Sequence, residues 1–385
     1  MNDDLLIQKR YRKNKLLKYA GIIAILVSCL FLLTLFISIT IKSIPAFFDY
    51  EIKIDISDQT MSNEIEARKF LKSIVSPIEN ELEIFSISAY DKIIELASEN
   101  KKLGWVLASS KLKMALNEDN YDNFNSNEQM IIKKLLSNNL IKKTYNLSFF
   151  FSKESREPEL AGILTAFIGS LYTLVICFMI VLPLSICAAV YLEEFAPKNI
   201  LTSIIEININ NLAAVPSIVF GLVGLAVLIN FFDLPRSSSI AAGITLSMMV
   251  LPSMIIITRQ SLRTIPIAIK NAALALGATK MQIIMHHALP LALPGIMTGV
   301  ILSMARAIGE TAPLILIGML AFIVDIPNNI FSPATALPVQ IFLWADSPEA
   351  GFQAKTSAAI LVLLFILILL NLVAIYIRKK FERKW

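Results

Sequence analysis

Charged residues are scarce in this sequence. They make up 17% of the 385 residues, whereas 56% are apolar, and soluble domains usually carry about 25% charged residues. A single core cannot bury so much apolar surface, and apolar runs of about 20 residues are typical of helices that span a membrane. The scarcity of charge therefore excludes an ordinary soluble protein.

Cysteine and histidine are rarer still, with three and two copies. Cys29, Cys177 and Cys187 lie in apolar runs without a Cys-x-x-Cys spacing, which argues against a disulfide framework. His286 and His287 are adjacent, so a helix would point them in different directions. The sequence therefore predicts no metal site. It also contains no visible Ser/His/Asp set or carboxylate pair of the kind that would indicate an enzyme.

A nucleotide-binding loop is also absent. The chain has no Gly-x4-Gly-Lys-Ser/Thr stretch, so it has no P-loop with which to hold ATP. Its net charge of +5 collects at both ends of the chain and in one internal segment, which fits membrane topology better than a nucleic-acid-binding face. We therefore expect neither a bound cofactor nor a nucleic-acid partner.

Six apolar runs predict an all-α integral membrane protein embedded in membrane lipid. The first, residues 21–41, follows a basic segment, residues 1–20, and lacks a good cleavage site, so we expect a retained helix with a cytoplasmic N-terminus. Pro216 predicts a kink in the third run. The remaining five runs lie from Glu159 to Glu193, Glu206 to Asp233, Arg236 to Arg259, Leu291 to Ile323 and Lys355 to Arg378.

Residues 42–159 differ in character from the rest of the chain. They are rich in Lys, Glu, Asn and Ser and form a segment too long for an ordinary loop. Ile52 and Ile54 belong to a strand-like start, and four later residues fall in stretches typical of amphipathic helices: Glu95, Lys101, Lys113 and Lys133. The composition predicts a soluble, mostly helical domain inserted between the first and second membrane helices.

The basic residues set the expected orientation, because segments rich in Lys and Arg stay in the cytoplasm. Segment 259–290 contains bases and no acid, and the C-terminal tail is also basic. The bases are Arg259, Arg263, Lys270 and Lys280 in the segment and Arg378, Lys379, Lys380, Arg383 and Lys384 in the tail. Both are therefore predicted to be cytoplasmic, with residues 42–159 on the opposite side of the membrane.

Two further connections test this orientation. Segment 324–355, on the opposite side, carries Asp325, Asp346, Glu349 and only Lys355, which agrees with it. Segment 193–206, with Glu193, Glu194, Lys198 and Glu206, is an exception.

The cytoplasmic segment contains a helix–glycine–helix pattern. Thr264 and Pro266 suit the start of a first helix, Gly277 suits a left-handed turn at its end, and Thr279 suits the start of a second short helix that ends before Pro290. The marked residues are Asn271, Ala272 and Ala273, then Gly277 after three residues, then His287, Ala288, Leu289 and Pro290 after nine more.

This pattern resembles the coupling loop of ABC importer permeases, which reads Glu-Ala-Ala, three residues, Gly, nine residues, Ile-x-Leu-Pro. Asn271 stands for the Glu and His287 for the Ile. The resemblance implies that Asn271, Ala272, Ala273, Gly277 and Pro290 face a separate ATPase subunit, which binds the ATP. Asn271 removes the charge that the family carries there.

A second pattern places charge within the fifth apolar run. Arg306 lies roughly 16 Å beyond Gly295 along a helix, at a depth where a cation costs about 2.5–3.5 kcal/mol. Glu310 is one turn further on the same face, and Gly299 and Ser303 share that face and permit close helix packing. The pair is interpreted either as a structural ion pair or as the lining of an anion pathway.

The stretch Arg306-Ala-Ile-Gly-Glu310-Thr311-Ala-Pro313 is similar to the PstA-type phosphate permeases, and so is Asn211 to Gly221 with Ser217. The resemblance covers roughly residues 160–380 and implies a type I ABC importer permease core of five helices in the inner membrane of a bacterium. It also implies that residues 42–159 are an extra N-terminal insert in the periplasm. It implies a substrate pathway that includes Arg306, Glu310, Thr311, Asn211 and Ser217. It also implies three partners: a second permease (PstC-type), an ATPase (PstB-type) and a periplasmic phosphate-binding protein (PstS-type).

Other functions remain open at this point. Arg306 would suit another oxyanion or a phosphonate as well as phosphate. A membrane-anchored sensor could use residues 42–159 as its receptor domain, although a sensor needs only one or two spans.

Overall fold

The computed structural model describes residues 2–56, 63–75, 84–99, 101–118, 121–122, 124–349 and 351–381. Arg383 and Lys384 of the basic tail lie outside these residues. The chain begins with a long helix, α1 (Asn2–Ser43), followed by a 3-10 turn (Ile44–Phe47) that leads into the inserted segment.

The inserted segment combines helices with a sheet. β1 (Phe48–Asp55) lies between β2 (Leu103–Leu107) and β3 (Ile141–Tyr145), and both pairings are antiparallel. The helices are α2 (Glu64–Ile74), α3 (Ser88–Ser98), α4 (Ser110–Glu118), α5 (Ser126–Ser137) and α6 (Ser148–Phe151). The sequence indicated only the start of the sheet, at Ile52 and Ile54, and the loop before β2 contains Lys101, which was expected in a helix.

One face of the sheet forms the core of the insert. Ile52 pairs with Val106 on one side and Ile141 on the other, and Ile52 and Ile54 pack with buried residues of α2 and α3, including Leu71 and Ile93. This alternation of buried positions is what a sheet covered on one side requires.

The membrane region is helical. It comprises α7 (Leu164–Val190), α8 (Ile200–Ala213), α9 (Ser217–Val223), α10 (Ser239–Arg263), α11 (Ile267–Ala275), α12 (Lys280–Ile283), α13 (Leu289–Gly309), α14 (Ala312–Leu314), α15 (Leu337–Ala345) and α16 (Gly351–Phe381). Among the described residues, five helical stretches are long and apolar enough to cross a membrane, and one bent pair would make a sixth. The prediction of a helical membrane protein with about six spans is confirmed.

α10 lies at the centre of this region. Leu246, Met249 and Met254 are fully buried and pack against Cys177 of α7 and Ile296 of α13. The apolar part of α1, in contrast, has no buried residue. The helices of the core therefore enclose α10 and leave α1 at the outside.

The third apolar run is not a single straight helix. α8 and α9 meet at an angle of 104°, and the break falls at Pro216, whose ψ of 139° ends the helical geometry. Pro216 was expected to kink one span, but it separates two helices, because proline cannot donate to the preceding turn and disfavours helical backbone in the residue before it.

The fifth run also departs from its predicted limits. Lys280 to Gly309 forms one continuous span that includes a π-helical turn, Ile284–Ala288, so the helix started by Thr279 does not end before Pro290. At the other end, Glu310 has a ψ of 125° and terminates α13. The expectation of one helix from Leu291 to Ile323 is therefore wrong.

The insert is joined to the membrane region by buried polar contacts. Within the insert, the Glu159 carboxylate accepts a hydrogen bond from the Ser110 N–H, and Lys113 pairs with Asp49 at 2.5 Å. Lys355, counted in the sequence as a loop charge, is buried in α16 and donates to the carbonyl oxygens of Glu159 and Ala161. These contacts hold the insert against the first turns of α16.

Candidate functional site

Arg306 and Glu310 form an ion pair at the end of α13. The distance from Nε of Arg306 to Oε1 of Glu310 is 3.7 Å, and Nη1 of Arg306 donates to the Ser253 hydroxyl of α10 at 3.4 Å. The Arg306 side chain is 38% exposed and that of Glu310 19% exposed. The pair is thus made across a helix end rather than along one helix face, and both side chains are partly exposed.

Small residues place Arg306 close to α10. A Cβ added to Gly299 would lie 2.9 Å from Ile257, and one added to Gly295 would collide with Ser261. Ser303, one turn beyond Gly299, contacts the sulfur of Met254 at 3.7 Å. The predicted close packing along this face is confirmed, and Arg306 lies at its end.

The structure brings the two signature stretches together. A Cβ on Gly221 of α9 would lie 2.7 Å from Cα of Pro313, so α9 packs directly on the segment that follows Glu310. Thr311 is half-buried, and its carbonyl accepts from the Ile315 N–H at 3.0 Å.

The other two predicted pathway residues, Ser217 and Asn211, lie on either side of the break at Pro216. Ser217 is half-buried at the start of α9, and Asn211 is exposed near the end of α8. Within residues 124–349, no hydrogen bond joins either side chain to Arg306. Their contribution to a pathway therefore depends on the surface that α8 and α9 present.

The helix–glycine–helix element has the predicted left-handed turn. Gly277 has a φ of +84°, a region that favours glycine, and Thr279 forms a capping box with Gln282 at the start of α12. Thr264 instead ends α10, and Pro266 precedes α11. The first helix therefore starts two residues later than Thr264 would place it.

The predicted coupling residues differ in how far their side chains are exposed. Asn271, Ala272 and Gly277 are exposed and Pro290 is half-buried, whereas Ala273 is 8% exposed and packs within the chain. Sequence reasoning missed the apolar side chains that surround them on the surface: Ile267, Leu274, Leu276, Met281 and Met285. Leu276 is 89% exposed. An exposed apolar group of this kind is typical of a protein–protein contact.

An ion-pair cluster holds this element to the helices beside it. Arg259 pairs with Glu206 at 2.6 Å and with Glu193 at 3.6 Å, and Arg263 pairs with Glu193 at 2.9 Å. Lys270 of α11 pairs with Glu194. The acids that were exceptions to the charge rule thus neutralise bases of the same side, a relation that sequence spacing alone does not reveal.

These features define a class: a multi-span membrane protein with a half-exposed charge pair at the end of a spanning helix and a short, fixed helical element that offers an apolar surface. The comparisons agree with it. A family model described as "Binding-protein-dependent transport system inner membrane component" matches residues 181–385. A second model, a domain of unknown function, matches residues 5–123.

Individual relatives point the same way. The chain is 32% identical over 249 residues to "Probable ABC transporter permease protein YqgI" of Bacillus subtilis (strain 168), covering 60% of this chain and 84% of the relative. It is 32% identical over 239 residues to "Phosphate transport system permease protein PstA" of Yersinia pestis, covering 60% and 78%. The chain belongs to the family of inner-membrane components of binding-protein-dependent transport systems.

A solved structure is similar as well. The inward-facing MetNI methionine ABC transporter matches with 19% identity and a TM-score of 0.45, covering 57% of this chain and 96% of that chain.

Proposed function

We propose that this chain is the permease subunit that moves inorganic phosphate through an ATP-driven importer. The observation that carries the proposal is the Arg306–Glu310 pair, whose guanidinium is partly exposed and also contacts Ser253. Arginine offers a planar, permanently charged set of donors that suits phosphate oxygens. The likeness to the Yersinia pestis protein named as a phosphate permease supports the choice of anion.

The ion pair supplies a way to release the anion. A lone arginine would hold phosphate tightly and would be costly when the path is empty. Glu310 balances Arg306 in the empty state, and an arriving phosphate competes with Glu310 for the guanidinium. Thr311, Asn211 and Ser217 are proposed as further polar residues of the pathway.

Energy would enter at the helix–glycine–helix element. The apolar group around Leu276 is exposed, and the ion pair between Lys270 and Glu194 fixes α11 to the segment after α7. We assign this surface to a separate ATPase subunit, because the chain has no P-loop of its own. Asn271, Ala272 and Gly277 would lie at the contact. Ala273 and Pro290, which are less exposed, would pack behind it within this chain.

The remaining assignments complete the importer. We assign the exposed surface of α8 and α9, beside Pro313, to the contact with a second, related permease. That subunit would form the other side of the substrate pathway. A periplasmic phosphate-binding protein would deliver the anion on the side of the insert, residues 42–159, with both termini and segment 259–290 in the cytoplasm.

Uptake by a strain that lacks its own copy of this chain tests the proposal. Restoring the chain should restore uptake of labelled phosphate, and excess unlabelled phosphate should suppress the signal. If a phosphonate or another oxyanion suppresses it better than phosphate does, the substrate is that anion. Wild-type uptake without the chain would reject the function.

A further inference from the structure

Exposed apolar side chains of the insert are concentrated where it meets the membrane region. Five of them form what is here named the junction patch: Ile44, Tyr145, Leu147, Phe150 and Phe151. Their exposed fractions reach 79% for Tyr145 and 72% for Phe151. The other exposed apolar residues of the described insert, such as Ile65 on α2, Leu103 on β2 and Met130 on α5, are spread over separate elements. Isolated ones are normal, whereas a contiguous patch marks a binding surface.

Contacts between aromatic rings show where the junction patch lies relative to the ends of the membrane helices. The Phe47 ring, directly after α1, lies 6.1 Å from Phe150 and 5.8 Å from Phe149. Phe149 is buried beside Trp344 of α15, and Trp344 stacks on Phe352 in the first turn of α16. The patch is thus level with the ends of two helices that span the membrane.

The end of α1 locates the lipid boundary. Its apolar run stops at Ile41, and Lys42 and Ser43 are its last residues. Ile44 and Phe47 are one turn apart in the 3-10 helix that follows. The junction patch therefore lies at the depth where hydrocarbon gives way to headgroups, which is the depth that aromatic side chains prefer.

The surroundings favour lipid over protein as the occupant. The apolar part of α1 has no buried residue, so the medium that bathes α1 continues to the patch at its end. Lysines accompany the rings: Lys42 ends α1, and Nζ of Lys143 lies 4.3 Å from the centre of the Phe48 ring. Aromatic and apolar residues flanked by lysine are the composition of a segment that lies in a membrane interface.

We infer that the junction patch inserts into the headgroup region of the leaflet reached by the end of α1, and that the insert rests on the membrane surface there. The inference depends on the membrane location of the chain and not on the transported anion. It gives the insert a second attachment to the membrane, in addition to its covalent links and the Glu159 and Lys355 contacts.

Spin labels can test this attachment on the full chain in lipid nanodiscs. Cys29, Cys177 and Cys187 are replaced by alanine, and a single label is placed at Phe151→Cys. Met130→Cys is the matched control, since Met130 is 70% exposed on α5. Molecular oxygen partitions into lipid, and a nickel chelate stays in water.

The accessibility ratio of oxygen to nickel should be several-fold higher at position 151 than at 130, and Leu147→Cys should repeat the result. Equal ratios would show that the patch faces water and would overturn the inference. Protection of position 151 from both reagents would also overturn it, because the patch would then be a protein interface. Elution of each variant as a single folded species checks that the labels report on the native chain.

Discussion

At the scale of single residues, a substitution of Arg306 can distinguish a residue of the substrate pathway from one that only supports the structure. Arg306→Gln keeps the length and polarity of the side chain but removes the charge, so we expect normal membrane levels and loss of phosphate uptake. Arg236→Gln, in an exposed connection between helices, is the matched control and should transport normally. Uptake and immunoblotting are measured in the same cells.

A charge swap sharpens the same test. Arg306→Glu combined with Glu310→Arg preserves an ion pair while it moves the cation from the end of α13 to the extended backbone after it. Near-normal uptake by the swapped protein would mean that the pair only supports the structure, and so would wild-type uptake by Arg306→Gln.

Glu154 supports a prediction about pH. It is buried at 6% exposure and accepts the Ile323 N–H at 3.0 Å; burial raises the pKa of its carboxyl, and that hydrogen bond opposes the rise. The folded state therefore keeps the proton to a higher pH than the unfolded chain, so stability falls as pH rises from about 4.3 through the raised pKa.

Glu154→Gln removes this cost and retains an acceptor for Ile323. Its thermal midpoint should exceed that of the wild type by a few degrees at pH 7, and the difference should shrink as the pH falls toward the ordinary carboxyl range. Asp233→Asn, at an exposed residue outside the helices, should show neither effect, because the Asp233 carboxylate faces water in the folded chain. A difference that is constant with pH would contradict the assignment.

At the scale of elements, the most accurate predictions came from hydrophobic periodicity and from the conformational properties of glycine. The left-handed backbone at Gly277 and the small-residue face at Gly295 and Gly299 followed from local rules. The end of α13 at Glu310 was not predicted, because the interpretation followed the apolar run and gave too little weight to Gly309 and to Pro313, which cannot donate to the Gly309 carbonyl. The ion pairs of Glu193 and Glu206 could not be predicted from the sequence either, because their partner, Arg259, lies 53 residues or more away along the chain.

Gly277 offers a matched pair of substitutions. Asn tolerates left-handed backbone better than most residues, and Asp has the same shape with a negative charge. A side chain at this position would meet nothing within 4 Å in the chain itself, so both variants should fold. If this turn faces the ATPase, Gly277→Asp should uncouple ATP hydrolysis from uptake in the assembled complex, whereas Gly277→Asn should retain most uptake. Equal uptake by the two variants would place the turn away from the contact.

At the scale of the whole molecule, the number of spans was predictable and the architecture of residues 42–159 was only partly so. Apolar run length fixes the spans because lipid satisfies no backbone polar group. A sheet such as β2-β1-β3 depends on pairings between strands about 50 to 100 residues apart along the chain, and short polar strands carry little local signal. The site likewise needed tertiary information to place Pro313 against Gly221.

Orientation can be measured with two cysteines in a background without the native ones. A test site near Asn120 lies outside the described residues, so Met130→Cys on α5 serves for the insert and Leu276→Cys, 89% exposed, for the coupling element. An impermeant thiol reagent should label position 130 in intact spheroplasts and position 276 only in inverted vesicles. The reverse pattern would invert the proposed topology.

The termination of α13 lies between the two members of an ion pair. Arg306 moves with α13, whereas Glu310 moves with the extended backbone that leads to Pro313. Gly309, between them, has nothing within 4 Å of the position a Cβ would take, so no neighbouring group packs against that position. If an anion occupies Arg306, it takes over the attraction that ties the end of α13 to Glu310, so anion binding would loosen the backbone at this junction.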